Sequence, residues 1–146
     1  MMRHISSLLR ERAGNVTVEL ALLAPILSAM LIGLVDLSTA YSAKLRLEQV
    51  AQRSIEKVMQ NSFAVSQAAT LKTEAEAAAG SGSTATVTYW LECNAVRQTG
   101  ASAYTSNCPD GQQYARYVQV QISKSHTAII ANTTWTLVGV AGIRIQ

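Results

Sequence analysis

From Val16 to Val35 the chain reads VTVELALLAPILSAMLIGLV, an apolar run broken by one charge, Glu19. About 20 apolar residues suffice for a helix to cross a hydrocarbon layer, so the run predicts one membrane-spanning helix, with Asp36 marking its outer limit. Beyond it Tyr41, Leu45, Val50, Ile55, Val58 and Met59 recur near helical spacing among Lys44, Arg46, Glu48, Arg53, Glu56 and Lys57. That pattern predicts that the helix continues as an amphipathic stem whose apolar stripe faces a folded domain. Asn61-Ser62 interrupts it, Ala64 to Ala79 predicts a second, Ala-rich helix, and Gly80-Ser81-Gly82-Ser83 ends that one.

After this break the periodicity changes from helical to alternating. Thr84 to Cys93 reads as a strand, and Tyr114 to Lys124 as another, with Val118, Val120 and Ile122 alternating against Gln119, Gln121 and Ser123. Thr133 to Val140 and Ile143 to Ile145 predict a third, Gly-interrupted strand region, and Asn94 to Gln113 a polar loop with a turn at Pro109-Asp110-Gly111. The expected class is α+β, a small antiparallel sheet covering the apolar side of the stem. Four segments follow: a basic leader over 1–14, a transmembrane helix over 15–36, a helical stem over 37–79 and a small β-rich domain over 80–146.

Charge sets the orientation. The leader carries Arg3, Arg10 and Arg12 against Glu11, which accounts for most of the formal net charge of +3. Arginines flanking a span are held on the cytoplasmic side, so the N-terminus is expected inside and the C-terminal domain outside, with Lys44 and Arg46 weakening the bias. Past the leader, basic and acidic residues interleave, which argues against a nucleic-acid interface. Only 14% of residues are charged, against roughly 25% in soluble domains, as expected of a chain that meets lipid.

Cys93 and Cys108 are the only two thiols. A disulfide between them suits a domain outside the reducing cytoplasm, and closing a loop of that size stabilises a fold by about 3 kcal/mol in the chain-entropy model. Metal binding is the competing reading, but no third cysteine or histidine lies near in sequence, short of a four-ligand site.

Three fates of the N-terminus stay open. The chain can be cut after Gly14, retained whole as an anchored scaffold or binding protein, or released near Ala40, because Ser38-Thr39-Ala40 has the small residues that signal peptidase accepts. Against the last, the apolar run exceeds the usual 7–15-residue signal core and contains a carboxylate. A cut after Gly14 makes Asn15 the first residue and Glu19 the fifth. The new amine and a neighbouring subunit's Glu19 then lie at one depth, where pairing offsets their desolvation. The alternative for Glu19 is an edge residue reaching back to the headgroups. Pro25 removes a helical hydrogen bond and can kink the span, or is an ordinary membrane proline tolerated through neighbours.

Basic leader, Ala13-Gly14, the NVTVELALLAP run with Glu19 and Pro25, and the continuous apolar stretch together resemble the TadE-like family of minor pilins or pseudopilins, mainly over residues 10–40. The resemblance implies a pilin-like layout and a prepilin peptidase cut after Gly14, with Asn15 the mature N-terminus. It makes Glu19 the assembly residue and puts Pro25 at the family's proline position. It further implies the inner membrane, other pilins and the assembly machinery of the tight-adherence (Flp) pilus as partners. Leu20 departs from the family, which usually has an aromatic residue after the glutamate.

No nucleophilic triad, HExxH, P-loop or dinucleotide fingerprint is present in the sequence. The expectation is a non-enzyme without cofactor, metal or small-molecule substrate. His126, with no carboxylate near it in sequence, is expected to be a solvent-exposed or loop residue rather than a general base.

Overall fold

The computed structural model describes residues 3–100, 102–129 and 132–145, with side chains from Val16 onward. Helix α1 (Arg3–Asn61) runs for 59 residues without interruption. It ends where the sequence changes character: Ser62 takes a left-handed φ of 53°, and a short 3-10 turn at Val65–Gln67 leads into α2 (Ala68–Ala79). The predicted second helix therefore starts four residues later than Ala64. Gly80, at φ +94°, closes α2 in a conformation that a side chain would strain.

Four antiparallel strands follow, β1 (Ser83–Cys93), β2 (Val96–Arg97), β3 (Tyr114–Thr127) and β4 (Thr134–Arg144), in the spatial order β2-β1-β3-β4. The α+β expectation holds. Two details differ from the sequence reading. The segment from Asn94 to Gln113 is not wholly loop: Val96 and Arg97 turn back onto Cys93 and Glu92 as β2, and Ala103–Thr105 forms a 3-10 turn. The last strand is continuous, because Gly139 and Gly142 both keep their ladder places, opposite Ile122 and Gln119.

The sheet lays one face on α1. Val118, Val120 and Ile122 are completely buried there, with Leu91 and, from the helix, Leu47. On α1 the buried positions are Asp36, Ala40, Leu47, Val50, Ala51, Ser54, Ile55 and Val58, a stripe that keeps three- and four-residue steps from Leu47 onward. The expected stripe is only half right. Val50, Ile55 and Val58 point inward, whereas Tyr41, Leu45 and Met59 are exposed, since they project from the flank of the helix about a third of a turn away.

Small residues set how closely the layers approach. A Cβ placed on Gly139 would fall 2.4 Å from the carbonyl carbon of Leu47, so β4 meets the backbone of α1 directly at that point. Alanines do the same under α2, whose buried face is Leu71, Ala75 and Ala79. This helix also covers an open strand edge, as Glu76 Oε1 accepts the Ala85 N–H at 2.9 Å, capping a ladder group that would otherwise invite another strand. Arg46 Nη2 donates to the Ala78 carbonyl at 3.2 Å and Lys57 pairs with Glu74, tying α1 to α2.

At the end of the sheet carrying β2, Phe63, Tyr89 and Tyr104 form an aromatic cluster with centroids 5.3–5.7 Å apart. Burial pushes the Tyr104 hydroxyl above its usual pKa, partly countered by the Arg116 guanidinium. Arg116 holds the connection by donating from Nε to the Tyr104 carbonyl at 3.0 Å. A disulfide joins Cys93 to Cys108, with Cα atoms 5.7 Å apart, pinning the same segment to the end of β1.

The contact at Gly139 yields a direct test. Gly139→Ala is expected to destabilise the detergent-solubilised full chain by about 1–3 kcal/mol, the usual cost of overpacking, read as a lowered Tm. Gly142→Ala, whose new methyl would meet the nearest atom, the Val118 carbonyl oxygen, at 3.4 Å, should cost much less.

Candidate functional site

Helix α1 divides into two stretches with different surroundings. From Val16 to Ile32 every residue is exposed, and burial against the domain begins at Asp36. The most apolar 18-residue window has a mean hydropathy of 2.3 and none of it is covered by the rest of the chain. A core helix of comparable hydropathy would be mostly buried. This one is long and apolar enough to cross a membrane, and none of the described residues covers it.

The sequence-selected residues fall on both stretches. Gly14 and Asn15 lie within α1, but their side chains are outside the described residues. Glu19 is exposed on the apolar stretch, and no ion pair links it to any residue whose side chain is described. The helix continues through Pro25. Having no N–H, Pro25 leaves the Ala21 carbonyl without its usual partner, and, three residues on, Ser28 Oγ donates to the Ala24 carbonyl at 2.8 Å. Cys93 and Cys108 sit at the far end of the domain, remote in sequence and fold from these helix positions.

Sequence reasoning took Asp36 as the outer limit of the apolar run but missed that it joins the two stretches. Asp36, only 7% exposed, is the first buried residue among the described side chains of α1. Its Oδ2 accepts the backbone N–H of Ile129 at 3.0 Å, and its Oδ1 lies 3.0 Å from His126 Nε2. His126 is therefore not solvent-exposed, contrary to the sequence reading: its side chain is 18% exposed, and the carboxylate beside it comes from 90 residues away in the chain. Position on β3 explains it. Val118, Val120 and Ile122 alternate toward α1, and the same period carries Lys124 and His126 to that face. A run of even-numbered positions ending in a histidine was the available signal.

The arrangement is a joint that ties α1 to the end of the β3–β4 pair. Among the described residues no group of three or more His, Cys, Asp or Glu side chains is placed to hold a metal ion. Asp36→Ala would leave the Ile129 N–H and His126 without their acceptor, a loss of about 1–3 kcal/mol for buried groups. The expected outcome is fast hydrogen exchange at the Ile129 amide while amides of Val118 and Val120 stay protected; unchanged protection at Ile129 would count against the joint.

Residues 14–55 match the family model of TadE-like protein. No curated protein and no solved structure matches the chain. The match begins at the glycine that closes the basic leader and extends through the uncovered stretch into the buried stripe of the stem. Over residues 14–55, the helix that leaves its first half bare and buries its second in the domain is thus similar to the TadE-like family, which is associated with the tight-adherence pilus.

Proposed function

We propose that the protein is a minor pilin or pseudopilin of a tight-adherence (Flp) pilus, inserted in the inner membrane with its leader in the cytoplasm and its β-rich domain in the periplasm. A prepilin peptidase cuts after Gly14, Asn15 becomes the N-terminus, and the new amine pairs with Glu19 of an adjacent pilin subunit. The kink that Pro25 permits lets the span adjust to its neighbours. The observation that carries this reading is the family match, which starts at Gly14 and includes Glu19 and Pro25. The exposed position of Glu19 supports it, since a carboxylate among lipid-facing side chains is costly unless a partner comes from outside the chain.

Release near Ala40 fits the fold poorly. Ala40 is 6% exposed in the middle of α1, with Asp36 on the same face one turn earlier. A product beginning at Tyr41 would lose Asp36, and with it the acceptor for Ile129 and His126.

Intact mass and N-terminal sequencing of the protein from its native membrane should find Asn15 first; Met1 would indicate an uncleaved anchor, and Tyr41 a released domain. Gly14→Leu is expected to block the cut. Glu19→Ala should leave cleavage and insertion unchanged and sharply reduce recovery of the protein with sheared pili or cross-linked pilins. Undiminished assembly of Glu19→Ala would sink the pairing.

A further inference from the structure

We infer that the domain has a second membrane contact, in which Ile129 and Trp135 rest in the outer interfacial layer of the bilayer that α1 spans; this depends on the membrane reading of α1. Asp36 follows directly on the apolar run, and its carboxylate holds the Ile129 N–H and His126. Those bonds bring the end of the β3–β4 pair down to the depth at which the hydrocarbon span ends. Trp135 is the ladder partner of His126, with ring centroids 6.1 Å apart, so it shares that depth.

The core explains neither side chain. Ile129 is 66% exposed and Trp135 47%, whereas the adjoining Ala128 is 4% exposed. Leu37 and Tyr41, 64% and 62% exposed, lie within the first turns of α1 beyond Val35, a rise of about 9 Å at 1.5 Å per residue. The interfacial layer is roughly 5–8 Å deep on each side of the hydrocarbon. The chemistry fits lipid in a further way: between Lys124 and Arg144 the sequence contains no Asp, Glu, Lys or Arg, so lowering this end of the sheet desolvates no fixed charge. Tryptophan and tyrosine favour the headgroup level because an apolar ring and a polar group sit there together.

The other tryptophan supplies an internal control. Trp90 is stacked on Tyr117, with centroids 5.2 Å apart, under the Arg97 guanidinium, and Tyr117 lies nine residues from His126 along β3, about 30 Å at strand spacing. The full chain would be reconstituted at low density in phosphatidylcholine vesicles containing lipids brominated near the headgroup end of the acyl chain. Trp90→Phe, which leaves Trp135 as the reporter, should lose most of its emission, while Trp135→Phe, reporting Trp90, should lose little. Ile129→Trp in the doubly substituted background gives a second reporter at the same depth, guarding against a misfolded variant. Equal, weak quenching of all three reporters in protein that resists carbonate extraction overturns the proposal and leaves the span intact. Blue-shifted Trp135 emission without bromolipid quenching also overturns it, assigning the patch to a second copy or another protein. Release by carbonate overturns the span and this contact together.

Discussion

The fold depends on one carboxylate being satisfied at one depth. Helix α1 is shared between two environments, and at Asp36 one hands over to the other. Before it, the described side chains from Val16 to Ile32 are all exposed, and beyond it one stripe of the helix is buried under the sheet. A buried acid without partners would work against that enclosure. Here the Ile129 N–H and His126 satisfy it, and the bonds fix where along a 59-residue helix the sheet comes to rest. Apolar packing could not set that position so sharply, since the stripe of the stem repeats with every turn and offers several similar registers.

A second constraint makes the register rigid. Gly139 leaves no room between β4 and the Leu47 backbone, so sliding the sheet along the helix by a turn would put a side chain of β4 where only a glycine fits. Leu47 lies eleven residues beyond Asp36, about 16 Å along the axis. Two tight contacts at that separation hold both the height and the tilt of the sheet. Ala51 on α1, and Ala75 and Ala79 on α2, continue the same close approach, which explains how a small domain achieves an enclosed core from few large side chains.

The local elements were legible because each rests on a short-range signal. The change of period after Gly80, the alternation through Val118, Val120 and Ile122, and the apolar run ending at Asp36 each needed only near neighbours in sequence, and the α+β class followed. The face of the stem was less legible. Tyr41, Leu45 and Met59 are large and apolar yet lie on its flank, while Ala40, Ala51 and Ser54 are small and buried; size and hydropathy alone rank these residues in the wrong order. The Asp36–His126 pair was hidden because its members are 90 residues apart. At the other end of the helix, Gly14, Asn15 and Glu19 are conspicuous through the family pattern, and the proposed roles of these residues come from that pattern rather than from contacts within the chain.

Comparing the two acids of α1 carries the argument one step further. Glu19 and Asp36 are separated by roughly 25 Å of helix at 1.5 Å per residue, close to the thickness of a hydrocarbon core of about 30 Å, so on the membrane reading of α1 they bracket the span. Asp36 is answered from within the chain, by its own domain, and on the proposed reading marks where a single subunit meets the outer surface. Glu19 is exposed and has no ion-pair partner among the described side chains, which leaves it open, on the proposed reading, to a partner from a neighbouring subunit. The helix thus carries its internal register at one end and, on the proposed reading, its intermolecular register at the other. A subunit whose height is already set by Asp36 presents Glu19 at a reproducible depth. That is the condition under which pairing with a cleaved amine could select one axial offset between neighbours.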